Sequence, residues 1–424
     1  MKIMVVGGGG REHAIIRKLK ENPEVTEIVA LPGNAGIAQD AECVRIAATD
    51  IDGIVDYART HPVDFAVVAP DDPLALGCVN RLHALGIPCF GPNAAAARIE
   101  ASKVFAKDLM KKYHIPTAAY EVFDDAHAAL LYVETCPLPV VVKADGLALG
   151  KGVVICFTRE EAKRAVTAAM IDSAFGASGA RIVCEEFLEG PEVSVLAFTD
   201  GHVVKPMVSS MDHKRAGDGD TGLNTGGMGT IAPNPCYTPE VAERCMNEIF
   251  LPTVAAMNAE GCPFRGCLYF GLMVTKDGPK VIEYNCRFGD PETQVVLPLL
   301  KSDLLSIMMA VENETLADTP VAFSDGAACC VMLASGGYPG KYEKGKVIEM
   351  GRAPEMAQIF HSGTARNERG ALVTAGGRVL GVCCTADTLR EAIDSAYQAA
   401  AEIHWDGMML RHDIGRRALD ILEG

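Results

Sequence analysis

No stretch of this chain stays apolar for anything near the roughly 20 residues that a bilayer span needs, so no transmembrane helix is expected. The opening MKIMVVGGGG has too short an apolar run for a signal peptide and leads straight into strand and turn. Positive charge is in deficit: 39 Lys and Arg stand against 55 Asp and Glu, a formal net charge of -16. That balance argues against a nucleic-acid footprint over the whole surface, while local basic pockets for small phosphorylated ligands stay open. The 15 cysteines are scattered, with two adjacent pairs (Cys329-Cys330 and Cys383-Cys384); they form no C-x-x-C, and the next closest pair, Cys262 and Cys267, has no nearby His. They read as small buried hydrophobes in a reducing cytosol, so a cytoplasmic location is expected. The 10 histidines show no metal-ligand spacing, and no G-x-S-x-G elbow or phosphate-binding G-K-S/T occurs. Internal repeats and low-complexity tracts are also missing.

What is present is a chain of 424 residues, 49% hydrophobic, enough for roughly three domains with cores of their own. Residues 2–6 read as a buried strand, 7–10 as a turn and 11–22 as a helix. Further strands are expected at 27–31, 64–70 and 87–92, with a helix from Leu74 to Leu85 and a largely helical stretch over 91–115. Strand alternating with helix predicts a parallel sheet covered on both faces. Residues 137–157 read as strand, Gly-rich loop, strand. Thr158 then opens a helix, with Glu161 completing a capping box. Hairpins are expected to close at Asp200-Gly201 and Asp277-Gly278. Residues 218–230 read as a polar Gly-rich loop. From Ser324 onward, short β runs, turns and a helix over 388–403 suggest a small α+β domain.

The most informative segment is KVIEYNCRFGDPETQ, residues 280–294. Side chains alternate along a strand, so Glu283, Asn285 and Arg287 share a face. A carboxylate, an amide oxygen and a guanidinium side by side suit Mg²⁺ and phosphate oxygens better than a core. The loop that follows adds Asp290 and Glu292 around Pro291.

Other segments are open to two readings. Gly7 to Gly10 with Arg11 serve either as a tight turn or as a phosphate cradle at a helix start. A nicotinamide site is not expected there, because Glu12 stands where the third Gly of the fingerprint belongs. Lys143 closes the apolar run PVVVK and needs an anion, which Asp145 is near enough in sequence to supply. The loop around Gly146, Gly150, Lys151 and Gly152 suits a lid over phosphates. Glu185, Glu186, Phe187, Leu188 and Glu192 read as ordinary strand-end residues or as a nucleoside contact. Residues 209–230 carry Asp212, His213, Lys214, Arg215 and Asn224 among many glycines, a length that is usually functional or disordered.

In order along the chain, GGGGREHA, KADGLALGKGV, SSMDHKR, NTGGMG and the loop Arg287-Phe288-Gly289-Asp290-Pro291-Glu292-Thr293-Gln294 resemble the ATP-grasp ligases. The resemblance is closest to the branch that joins glycine to 5-phosphoribosylamine in purine biosynthesis, and it spans nearly the whole chain. It implies an N-terminal parallel α/β domain (1–102), a two-lobed ATP-grasp domain (103–320, lid about 120–193) and a C-terminal α+β domain (321–424). It implies that Lys103 and Lys143 contact ATP phosphates under Gly150, Lys151 and Gly152. Glu185, Glu186, Phe187 and Leu188 would hold adenine, and Glu192 the ribose. Glu283 and Asn285 would bind Mg²⁺ or Mn²⁺. Arg287, Asp290 and Glu292 would sit by glycine and the transferring phosphoryl group. Gly8, Gly9, Gly10, Arg11, Asp212, Lys214, Asn224, Gly226, Gly227 and Gly229 would shape the phosphoribosylamine pocket. The expected partners are therefore ATP, glycine and 5-phosphoribosylamine, with no nucleic acid and no membrane, on a monomer or weak dimer. Three positions depart from the family pattern: Asp71 for a usual Glu, Met211 for Gln and Leu223 for Pro.

Overall fold

The computed structural model describes residues 1–147, 152–172, 174, 176–352 and 357–424. The first strand, Lys2–Gly7, lies at the centre of a five-stranded parallel sheet. Its order is Glu42–Cys43, Glu27–Pro32, Lys2–Gly7, Phe65–Val68, Cys89–Phe90. Ile3 to Val6 and Phe65 to Val68 are buried, as strands covered on both faces must be. Chain order reverses between Lys2–Gly7 and Phe65–Val68, and the crevice beyond the carboxyl ends of such strands is where α/β sheets bind ligands. The turn at Gly8–Gly9 and the segment Ala69–Asp72 both leave the sheet at that crevice.

Two expected helices are each broken in two. The Leu74–Leu85 helix appears as Asp71–Ala75 and Cys78–His83. Gly77 between them has φ 81°, a left-handed conformation that ends a helix and that glycine adopts without steric cost. The stretch over 91–115 appears as Ala94–Ala101 and Lys103–Lys112. Ser102 sits extended between them and caps the second, its Oγ accepting from Phe105 N at 3.1 Å, an exchange of helix continuity for a capped start.

Two antiparallel sheets follow. The first has the order Tyr120–Phe123, Ile182–Glu186, Val140–Ala144, Val153–Cys156. Helix Arg159–Val166 carries the expected Thr158–Glu161 capping box. Val140, Val142, Cys156, Ala162, Val166 and Cys184 form a small core separate from the rest of the molecule. The second sheet has the order Val204–Pro206, Glu192–Thr199, Gly266–Thr275, Gly278–Asn285. Its hairpins turn at the two predicted Asp-Gly pairs.

The polar loop expected over 218–230 is a correction. Arg215–Gly217 and Thr221–Asn224 form a small antiparallel hairpin, and Gly229–Ala232 is a buried strand. That strand and Met211–Asp212 join the C-terminal sheet, whose order is Met211–Asp212, Gly229–Ala232, Ala327–Ser335, Arg378–Ala386, Gln358–His361. The glycines hid a strand because Gly229 approaches the partner backbone closely: a Cβ there would lie 2.8 Å from Cys330 O. Helix Leu389–Ala400, capped by Thr388 and Glu391, covers this sheet. All 15 cysteines are free, and 13 are buried, in keeping with their reading as small hydrophobes.

Candidate active site

The strand Gly278–Asn285 runs antiparallel to Gly266–Thr275 and sets Glu283 opposite Gly271 and Asn285 opposite Tyr269. Gly271 leaves the space that Glu283 occupies; a Cβ there would stand 3.1 Å from Glu283 Cγ. Burial pushes the Glu283 carboxyl up, but Lys214, Lys143, Lys103 and Arg287 outweigh it and hold the group below its usual range. Glu283 is thus an ionised oxygen donor at neutral pH. Asn285 Oδ1 lies 3.5 Å from Arg287 Nη2, so the strand brings the three expected side chains together.

Arg287 is anchored by Glu100, a residue that no sequence reading singled out. Its Nη2 donates to Glu100 Oε1 at 2.9 Å, and Cys286 N donates to Glu100 Oε2 at 2.7 Å. Arg287 Nε is buried with no partner. A buried guanidinium donor left unmet is costly. Asp71 lies in the same field: burial raises its pKa, yet Arg287 and Arg11 outweigh that and keep it low. The shorter acid at this position therefore keeps its charge.

The lysines carry a second correction. Asp145 is not the partner of Lys143. Lys143 Nζ donates to Glu185 Oε2 at 3.0 Å and to Ile282 O at 3.1 Å, which ties the two antiparallel sheets together. Lys107, also unforeseen, pairs with the same Glu185 oxygen at 2.9 Å; burial drops its pKa to about 8. Asp145 instead takes Val104 N at 3.0 Å, Ser102 Oγ at 3.1 Å and Arg181 Nε at 2.7 Å. Lys103 Nζ donates to Gly146 O at 2.8 Å. Lys214 Nζ lies 3.1 Å from Glu192 and 3.7 Å from Glu283, and Glu192 outweighs burial to push the ammonium pKa up. So Lys103, Lys143 and Lys214 converge on Glu283, each held by a protein oxygen that an anionic ligand could replace. Glu186 is exposed, and Phe187 packs edge-on against Phe157 with ring centroids 6.1 Å apart. Leu188 is half-buried beside it. Gly152 precedes strand Val153–Cys156, whereas Gly150 and Lys151 lie outside the described residues.

At the other end of the cleft, the N-terminal turn meets the signature loop, residues Arg287 to Gln294. Glu12 reaches back to Gly9 N at 2.5 Å and to Arg11 Nε at 2.7 Å, which explains why an acid replaces the third glycine. Arg11 Nη1 donates to Phe288 O at 3.0 Å, and Arg11 N lies 3.5 Å from Asp290 Oδ2. Gly8 is packed too tightly for a side chain, since an added Cβ would come 2.5 Å from Gly33 O; at Gly9 and Gly10 it would displace the ends of Glu12 and Gln294, 2.8 and 2.6 Å away. Asp290 stays ionised, because Arg378 and Arg11 overcome the rise that burial imposes. Asp212 feels the charge of Glu292. Burial and the repulsion of Glu292 push Asp212 well up, and burial raises Glu292. Asp212 Oδ1 is buried without a partner. Gly226 N donates to Tyr338 OH at 3.0 Å. Asn224 lies on the small hairpin, opposite Arg215.

Glu100, Lys107, Gly271, Tyr338 and Arg378 were missed because their role comes only from distant partners. Glu100 and Lys107 sit on helices and read there as ordinary charged faces.

Three family models match in succession: the N domain of phosphoribosylglycinamide synthetase over residues 1–100, its ATP-grasp (A) domain over 101–293 and its C domain over 328–417. The chain belongs to the phosphoribosylglycinamide synthetase family. It is an ATP-grasp ligase that forms a carbon–nitrogen bond in purine biosynthesis. It is 47% identical over 424 residues to the phosphoribosylamine–glycine ligase of Vibrio vulnificus strain YJ016, covering 99% of both chains. It is 48% identical over 420 residues to that of Rhizobium meliloti, again with 99% of both covered. The crystal structure of phosphoribosylamine–glycine ligase from Thermotoga maritima superposes with a TM-score of 0.86 at 34% identity, covering 98% of this chain and 100% of that one. The biotin carboxylase domain of Hydrogenobacter thermophilus 2-oxoglutarate carboxylase, solved with MgADP, shares the fold with a TM-score of 0.73 at 19% identity, over 96% of this chain and 91% of that one. Among the described residues no helix is long and apolar enough to cross a membrane.

Proposed function

We propose that this member of the family joins glycine to 5-phosphoribosylamine through glycyl phosphate, with ATP lying between the two antiparallel sheets. The observation that carries the reading is the convergence of Lys103, Lys143 and Lys214 on Glu283 and Asn285, next to the Arg287–Glu292 loop. Phosphoryl transfer needs positioning and charge compensation rather than covalent help from the protein. Lys103 and Lys143 exchange their protein oxygens for ATP phosphates. Arg287, with its unmet Nε, steadies the phosphoryl group as the glycine carboxylate attacks the γ-phosphorus and ADP leaves. The amine then attacks the acyl carbon and phosphate departs. The Asp212–Glu292 pair takes the amine proton, because one of two neighbouring carboxylates is ready to be protonated. Opposite charges 4 Å apart gain about 4 kcal/mol at an effective dielectric of 20, so several cations offset much of the carboxylate–triphosphate repulsion.

Glu283 and Asn285 fit a divalent cation. They offer one ionised and one amide oxygen, and Mg²⁺ commonly takes one or two protein oxygens while phosphates and water complete its shell. Among the described residues no three His, Cys, Asp or Glu side chains form a cage. The metal, Mg²⁺ or Mn²⁺, would neutralise phosphate charge when bound. Glu185 to Leu188 hold adenine and Glu192 the ribose in this reading. The domain bounds at 102 and 320, the cytoplasmic location and a monomer or weak dimer belong to it as well.

The test is ADP release from Mg-ATP and glycine, with and without phosphoribosylamine made in situ from ribose 5-phosphate and ammonia. Release that requires all three substrates is expected. Release only with another carboxylate and amine would keep the fold and overturn the substrates.

A further inference from the structure

Arg378 opens a strand of the C-terminal sheet, far in sequence from every motif of the site. Its Nη1 donates to Gly226 O at 2.6 Å and to Asp290 O at 2.7 Å, and lies 3.4 Å from Gly227 O. Its Nη2 lies 3.4 Å from Asp290 Oδ1. One guanidinium therefore spans two loops, the NTGGMG turn and the signature loop. A planar fork with several donors fixes relative position in a way that a single ammonium cannot.

The two loops touch where it holds them. Gly227 has φ 111°, and a Cβ there would come 2.5 Å from Pro291 Cδ and 2.6 Å from Asp212 Oδ1. A Cβ on Gly226 would stand 3.0 Å from Arg378 Cζ, so the guanidinium lies against the glycine backbone. Asp212 lies beside Gly227, and Glu292, next to Pro291, is close enough to raise its pKa by repulsion. Among the described residues the bonds of Arg378 lie at the end of the cleft assigned to glycine and the amine.

We propose that Arg378 is a positioning residue of the ligation, locking Asp290-Pro291-Glu292 against Gly226-Gly227 so that the acyl group and the attacking amine meet in register. The inference rests on the ligase reading above. It assigns the C-terminal domain a direct part in aligning the second half-reaction.

The experiment compares Arg378→Lys, Arg378→Gln and Arg378→Ala in the full chain. It measures kcat, the KM of each of the three substrates, and the thermal unfolding midpoint. A misplacement of about 1 Å costs on the order of 10²-fold in rate. The expected result is a loss of about that size in kcat/KM for phosphoribosylamine, with the KM for ATP within about threefold and unfolding little changed. Lysine should recover only part of the loss, and added methylguanidinium should partly restore Arg378→Ala. Variants that match the unmodified chain in kcat and all three KM values overturn the inference alone. So does a KM for ATP that rises in step with the others without rescue, which marks general loosening. An unmodified chain that releases no ADP with the three substrates overturns the ligase reading, and this inference with it.

Discussion

Four described cations of the cleft are each held by a protein oxygen: Lys143 by Glu185, Lys103 by Gly146 O, Lys214 by Glu192, Arg287 by Glu100. Such a site is stable without substrate yet presents exchangeable positive charge. The roles differ by residue. In the proposed reaction Arg287 and Glu283 act on the reacting groups, so Arg287→Ala or Glu283→Gln should lower kcat by about 10²–10³-fold, the cost of one preorganised contact. Turnover near that of the unmodified enzyme at saturating substrate and metal would remove both from the mechanism. Glu185 is different, since Lys143 and Lys107 both depend on it in a buried setting. Glu185→Gln leaves two buried cations without their anion, and breaking a buried pair in this way costs about 3–5 kcal/mol. The expected outcome is a lower urea midpoint in the absence of ATP; an unchanged midpoint would mean that water already screens this trio.

Elements were legible where a local period or a local cap decided them. The buried strands at 2–7 and 65–68, the Thr158–Glu161 box and both Asp-Gly hairpins all follow from neighbours a few residues away. The cleft residues Glu283, Asn285 and Arg287 were legible for the same reason, because alternation puts them on one face. What failed had causes beyond the window: Gly77 needs a left-handed turn, and Gly229–Ala232 is a strand only because Ala327–Ser335 lies beside it. The pairing of Lys143 went to Glu185, 42 residues away, rather than to Asp145, for the same reason. One such long-range link carries a pH prediction. His213 Nδ1 donates to Gly229 O at 3.2 Å, and its Nε2 accepts from Gly415 N at 3.1 Å. The ring is therefore satisfied only when neutral. Burial first, then Arg411, lowers its pKa to about 4. The unfolded chain, with His near 6.5, binds a proton that the folded chain refuses between those values. Stability should thus fall by on the order of 3 kcal/mol as pH drops from about 6.5 to about 4. His213→Gln should flatten that slope in urea titrations at several pH values. An identical slope in the variant would assign the acid sensitivity elsewhere, with His361 (pushed down to about 3 by burial) the first candidate.

Across the whole molecule, the C-terminal domain packs directly against the candidate site. His361 N donates to His13 Nδ1 at 2.9 Å, and Asn34 Nδ2 bonds both Gly8 O and His361 O, at 2.9 and 2.7 Å. The turn at Gly8–Gly9 is thereby welded to residues some 350 positions later. Gly229–Ala232 pairs along its length with Val331 to Ala328, and Ile231 and Ala232 are fully buried against that sheet. A chain ending at residue 320 would lose these partners together with Arg378. It would also leave Gly229–Ala232 as an unpaired apolar edge, which invites pairing with other chains. The lid's core, by contrast, shares no residue with the C-terminal cluster and should be spared. The truncated chain should therefore elute as aggregates on size exclusion, bind a hydrophobic dye and release no ADP with the three substrates. A monomeric, dye-negative truncation that still ligates would show that the N-terminal turn and the signature loop hold their places without the C-terminal sheet, and that Arg378 is dispensable with it.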